Sequence, residues 1–355
     1  VWFTAEVPAS GQLKVETFAG TLDWAVLVIY SGTDCNSLTE LFCDETTSAM
    51  PTRILTGRTP GETIYIRVFG DQAKTGTFGI CASDPSAQIA GFTGPGGVGN
   101  SAENDLWLRA DKGALNSGGS EASPGQSVQT WNDQSGNDNH ATQATAGNQP
   151  VLLGNALNGQ PMLTFNGTGQ HMTGELGSLS APITMISVNR FTAAATDAYV
   201  MTIGDLNANQ TISISRETDN NYYAFTQGTK YYGPTLSDNT PYIIHSRHNI
   251  ASEFHEVLLN ETASVAKDYV ERVITDGSLI LGADRSISNF LGGDVAEAII
   301  YNNILNSAQK IIVENYLAAK YGLIIPTDLY AHQAVHPYDV AGIGQVDAGN
   351  RHTDA

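Results

Sequence analysis

Asp294 and Glu297 stand three residues apart in the strand-like run GGDVAEAIIY, and paired carboxyls are the equipment of glycoside hydrolysis. A retaining reaction needs two of them about 5 Å apart across the scissile bond. His245, His248 and His255 cluster in TPYIIHSRHNIASEFHEVLLNET and are the candidate transition-metal ligands. The odd separation of His245 and His248 sends them to opposite faces of a regular strand, so a metal would need a bulge and a third ligand from elsewhere. A sheet face carrying polar aromatics is the simpler reading. No Gly-x-Ser-x-Gly occurs, so no nucleophile elbow is recognisable. Phosphate cradles are missing too: LGGD precedes a strand, and GPGGVG sits in a segment without periodicity.

Hard oxygens gather in WNDQSGNDNHATQ, where Asp133, Asn137, Asp138 and Asn139 are a candidate calcium set. The preferred alternative is that these side chains only satisfy backbone groups of a tight turn. Asp34, Asp44 and Glu45 are a comparable set around the loop DCNSLTELFCD. Cys35 and Cys43 flank that loop and are expected to close a small disulfide. Cys81 is left over, either as a buried unpaired thiol or as one whose partner lay before Val1. Sugar recognition calls for exposed rings with amide partners, and NNYYAFTQGTKYYG supplies Tyr222, Tyr223, Tyr231 and Tyr232 beside Asn220, Asn221 and Gln227. Neighbouring tyrosines on a strand point to opposite faces, so one ring of each pair should face outward or onto a rim. Cross-strand aromatic pairing within a hairpin is the preferred competing explanation. Trp107 and Trp131 lie in apolar runs and are expected in the core.

A turn-rich β scaffold must position these groups. Charged residues make up only 15% of the 355 residues and glycine is frequent at 36, which favours an all-β protein. Acidic residues (36) outnumber basic ones (17), giving a net charge of -19. That argues against nucleic acid and against simple electrostatic adhesion to anionic lipid. No apolar stretch is long enough to span a bilayer, so no membrane insertion is expected. Residues 1–84 read as one small sandwich: Leu13, Val15 and Thr17 alternate with Lys14, Glu16 and Phe18, and Ile64, Ile66 and Val68 with Tyr65 and Arg67. Residues 85–102 (PSAQIAGFTGPGGVGNSA) read as a Gly/Ser/Pro linker. Residues 103–325 hold many short strands between turn signals such as Asn158-Gly159 and Asn166-Gly167, the pattern of a sandwich. One helix stands out there, with Asn306 as cap, Gln309 at the reciprocal position, an apolar stripe of Ile312, Val313, Tyr316 and Leu317, and Gly322 to close it. Residues 326–355 read as the start of a further β module or a tail.

The blocks LWLRADKG, WNDQSGNDNHATQ, GGDVAEAIIYNNIL and VENYLAAKYG, in this order, resemble the laminin-G-like branch of the concanavalin A-like lectin/glucanase superfamily, as found in secreted surface proteins of the Bacteroidetes group. Residues 1–84 resemble the pre-peptidase C-terminal type of domain, without its usual first strand. The resemblance implies two tandem β-sandwiches, the second a concanavalin A-like jelly roll with one C-terminal helix, and a calcium ion at a sandwich rim in some relatives. Glycosidases of that superfamily place nucleophile, helper and acid/base as Glu-x-Asp-x-x-Glu on one strand. Here Asp294 and Glu297 match the last two positions, but Gly292 stands at the first. The chain is therefore expected not to be an enzyme. Its expected role is adhesion or recognition of an extracellular glycan or cell-surface component, with calcium as a candidate support. A structural subunit assembling with copies of itself is the alternative, and a carbohydrate-active hydrolase the third. The expected setting is secreted or cell-surface, and the start at Val1 without an initiator Met suggests a fragment or mature form.

Overall fold

The computed structural model describes residues 1–8, 11–22, 25–33, 37–44, 50–70, 74–83, 94–177, 179, 182–192, 197–205, 210–216, 221–226, 229–249, 254–268, 277–330, 333, 337, 344–345 and 351–352. Nearly all regular structure is antiparallel β-sheet, and the chain divides into two compact units, Val1–Gly91 and Phe92–Ala355.

Among the described residues the first unit has seven strands: β1 (Trp2–Glu6), β2 (Leu13–Ala19), β3 (Ala25–Ser31), β4 (Thr39–Asp44), β5 (Thr52–Leu55), β6 (Thr63–Gly70) and β7 (Phe78–Ser83). They form two sheets, ordered β1-β6-β3-β4 and β5-β2-β7. Period-two alternation does the sorting. Leu13, Val15, Ile64, Ile66 and Val68 join Leu27 and Ile29 in one core, whereas Phe18, Arg67 and Phe69 stay exposed. Cys81, on β7, is exposed and has no disulfide partner among the described residues; of its two readings, the buried thiol is corrected by the outward position that alternation gives it. Cys43 lies on β4 opposite Val28, while Cys35 is outside the described residues, so the Cys35–Cys43 pairing stays an expectation.

The second unit is a jelly-roll-type sandwich. Among the described residues one sheet has nine strands, running Thr229–Thr235, Asn221–Thr226, Gln210–Arg216, Ala198–Asp205, Ser278–Leu281, Met172–Glu175, Ala141–Thr142, Thr130–Trp131 and Ala114–Leu115. The other runs Val151–Leu157, Gln160–Asn166, Gly292–Tyr301, Ile183–Phe191, Pro241–Asn249, Phe254–Leu259 and Thr262–Asp268, with Asn104–Arg109 also paired to Gly292–Tyr301. Between the sheets lies a core that includes Leu106, Trp131, Phe165, Met185 and Ile300.

The outer face of the second sheet is covered by α1 (Ser307–Tyr321). Asn306 accepts from the backbone N–H of Ala308 and Gln309, and the Gln309 side chain accepts from the Asn306 N–H, so the capping box forms. Gly322 ends the helix at φ 64°. Ile312, Val313, Tyr316 and Leu317 pack with Trp107, Ile186, Val188 and Ile299. Of the segment read as a linker, residues 94–102 are built into this unit. Val98 is buried in the helix-side core, and a Cβ at Gly96, which sits at φ +66°, would lie 3.1 Å from Ile312 and 3.2 Å from Tyr316, closer than ordinary van der Waals contact. The chain after α1 returns to it, because the Asn315 side chain donates to the Thr327 carbonyl and accepts from Leu329 and Tyr330 N–H.

Candidate functional site

The GGDVAEAIIY strand sets the polar centre of the second unit. A regular strand would place Asp294 and Glu297 on opposite faces. A β-bulge prevents this: Val188 faces Glu297 and Asn189 faces Val295, leaving Ala296 as the inserted residue. Both carboxylates therefore point to the helix side. Asp294 is buried and spent on Arg190 (2.6 Å) and the Thr164 hydroxyl (2.6 Å). Glu297 is fully buried. Its Oε1 accepts from Lys320 Nζ (2.6 Å), Tyr321 OH (2.9 Å) and Tyr316 OH (3.0 Å), and its Oε2 from Trp107 Nε1 (2.8 Å). Burial, with the Glu297 charge beside them, holds the Tyr316 and Tyr321 phenols well above the usual tyrosine range, so they remain donors.

Lys320 carries this network outward. Its Nζ also meets Asp111 Oδ1 at 2.9 Å, and Arg109 grips Asp111 through Nε (3.1 Å) and Nη2 (2.6 Å). Burial pushes the Asp111 carboxyl up, but the Arg109 hydrogen bonds and the Lys320 charge outweigh it and hold the group at about 2. Asp111 is thus ionised under all ordinary conditions, and it lines an open groove of about 390 Å³. Ala110, Ala122, Pro124, Leu152 and Pro161 give the groove an apolar floor; Asp111, Glu121 and Asn155 give it polar walls. Glu121 Oε1 accepts from Gly113 N–H at 2.8 Å. Gly154 permits the close approach of Pro124, whose Cγ would lie 2.5 Å from a Cβ there. Sequence reasoning quoted LWLRADKG but missed its Asp111: the Arg109-x-Asp111 spacing was a weak local signal, and Lys320 lies 209 residues away.

The residues singled out from the sequence fall elsewhere. Asp133 is buried, and its carboxylate accepts from the N–H of Trp107, Ser135 and Asn139 and from the Ser135 hydroxyl. Asn137 and Asn139 donate through their side-chain amides to the carbonyls of Asn104 and Asp105. Asp138 sits at φ 58° in the turn. The four residues meet at one turn, where these bonds tie it to the Asn104–Arg109 strand. His245 faces α1 and lies 2.9 Å from Glu314 Oε1, while His248 is buried, and burial lowers it to about 3. Among the described residues no group of three or more His, Cys, Asp or Glu is placed to hold a metal. Tyr223 pairs with Tyr232 and Ala224 with Tyr231 across a hairpin, and Tyr222 with Arg216. The side chains of Asn221, Tyr222, Tyr223, Tyr231 and Tyr232, the residues Asn220 and Gln227, and in the first unit Asp34, Glu45 and the Asp44 side chain lie outside what is described.

No family model and no curated protein sequence matches the chain. Among solved structures it is similar to the CBM40 of a Ruminococcus gnavus sialidase, at 11% identity and a TM-score of 0.32, covering 36% of this chain and 80% of that one. A Trypanosoma rangeli sialidase aligns at 12% identity and a TM-score of 0.43, covering 65% of this chain and 36% of that one. A GH54 arabinofuranosidase aligns at 14% identity and a TM-score of 0.45, covering 60% of this chain and 62% of that one. The likeness is one of lectin-like β-sandwich fold. It corrects one expectation: with two glycoside hydrolases among these structures, the missing carboxylate at Gly292 no longer excludes an enzyme.

Proposed function

We propose that the second unit recognises a glycan in the Asp111–Glu121 groove, as part of a secreted or surface-exposed protein of the laminin-G-like kind. The observation that carries this reading is a carboxylate braced by Arg109 and Lys320 at the wall of a groove with an apolar floor. Three of the hydrogen-bonding positions on Asp111 are taken by Arg109 and Lys320, which leaves a lone pair of Oδ2 for a sugar hydroxyl. Glu121 Oε2 has no partner among the described residues and offers a second acceptor, with Asn155 beside it. The apolar floor suits the C–H face of a pyranose. Ligand pockets of this kind combine apolar lining with a few placed polar groups.

The test is a glycan array probed with the whole chain, with and without calcium, followed by Asp111→Asn and Glu121→Gln. Retained glycans should lose at least about tenfold in affinity in each variant, the loss of one charge-assisted hydrogen bond. Each retained oligosaccharide is also sized after incubation, so that shortened products would assign hydrolysis to the same groove. Silence across the array under both conditions would favour a spacer role and reject the proposal.

A further inference from the structure

The first unit carries an aromatic face that its core does not use. On the outer side of the β1-β6-β3-β4 sheet, Trp2 stands opposite Arg67, and Tyr65 opposite Tyr30. Trp2 is 52% exposed and Phe69 36%. The Trp2 and Tyr30 rings lie 5.5 Å apart and tilted by 36°, making a shallow aromatic shelf. The Arg67 guanidinium sits between the rings of Phe69 (4.7 Å) and Trp2 (5.7 Å). Arg58, Arg109, Arg190, Arg216 and Arg247 each have a carboxylate partner. Arg67, like Arg53 over the Phe42 ring, has none among the described residues; what sets Arg67 apart is that it lies against two exposed rings, Trp2 and Phe69.

In a chain of net charge -19, a cation left without a counter-ion on an exposed aromatic shelf is a specific arrangement. Exposed aromatic rings grouped about an arginine offer both a stacking surface and a charge to a ligand. We infer that this face binds an acidic glycan, by stacking the C–H face of a pyranose on Trp2 and Tyr30 while Arg67 pairs with the sugar carboxylate. The ring faces hold the guanidinium in place by cation–π attraction, and its planar fork matches a carboxylate in two parallel hydrogen bonds. Charge complementarity selects a uronate or sialate over a neutral sugar. The chain's own negative charge is screened beyond about 8 Å at physiological salt, so recognition rests on this contact pair. The site is separate from the groove of the second unit and does not depend on it.

The experiment immobilises short oligosaccharides ending in galacturonate, glucuronate, mannuronate or sialate, each beside a neutral counterpart, and measures retention of the whole chain. Wild-type protein should be held by at least one acidic probe, at least about fivefold better than by its neutral counterpart. Trp2→Ala and Arg67→Ala should each lower that retention about fivefold or more, and Arg67→Gln, which keeps the length of the stem, should do the same. Thermal unfolding of the three variants should match wild type, because both side chains are exposed. Asp111→Asn separates this site from the groove: retention that falls in that variant but not in Arg67→Ala would overturn the inference. So would failure of all four acidic probes, or equal retention by the neutral ones.

Discussion

Glu297→Gln probes the centre of the second unit, and its cost can be worked out bond by bond. The glutamine carbonyl can take the place of Oε1, where Lys320, Tyr316 and Tyr321 converge. Its amide then faces the Trp107 indole N–H, a donor against a donor that had a partner at 2.8 Å. Flipping the amide turns it toward the Lys320 ammonium instead. An orphaned buried donor costs about 1–3 kcal/mol. Lys320 also loses a full charge at 2.6 Å while keeping Asp111 at 2.9 Å. Removing one partner of a buried ion pair costs about 3–5 kcal/mol, and the surviving partner reduces that to roughly half. Together the loss is about 4 kcal/mol, which for a unit of this size lowers Tm by roughly 7–8 °C. Differential scanning calorimetry of the whole chain should show one transition shifted down by that amount and the other unchanged. A shift within about 2 °C of wild type would refute the reasoning, because it would mean the four donors do not depend on the charge.

Other outcomes follow from the same geometry. Burial lifts Asp105 from its ordinary 3.8 to about 6, against the hydrogen bond from Asn302 and with Asp133 nearby. A folded value above the unfolded one means that stability is full below about pH 4 and is lost as pH rises through about 6. Asp105→Asn keeps an acceptor for Asn302; in pH-dependent melts it should match wild type at pH 4 and exceed it at pH 8. The two-unit lift would give about 3 kcal/mol, which partial exposure discounts to roughly 1–2 kcal/mol. Gly282→Ala places a Cβ 2.4 Å from the Phe165 ring at φ +80°, and urea unfolding should show a loss of about 3 kcal/mol. Asn306→Ala removes the α1 capping box and should cost about 1–2 kcal/mol in the same assay, with its m-value unchanged.

Much of the scaffold could be read from residue patterns because its causes are local. Alternation placed Ile64, Ile66 and Val68 inside, and the Asn306, Gln309 and Gly322 signals bracket α1 as observed. The Asp133–Asn139 turn shows the bonding of side chain to backbone expected of Asx residues. What escaped depends on contacts between distant segments. The bulge at Ala296, which moves Glu297 onto the face of Asp294, follows from pairing with Ile183–Phe191 and has no marker in GGDVAEAIIY. The Gly-rich stretch before Asn100 reads as a linker because glycines carry no periodicity, yet their missing Cβ atoms are what let Gly96 approach Ile312 and Tyr316. The groove joins residues from two loops and two strands, and only Lys320 reveals that Asp111 is braced from beneath.

The most direct measurement is a nuclear magnetic resonance titration of the isotopically labelled chain with a glycan retained on the array. Glycan recognition in the groove predicts amide shifts at Gly113, Ala122, Gly154 and Asn155, abolished by Asp111→Asn. Shifts confined to other residues, or an unchanged titration in that variant, would contradict it.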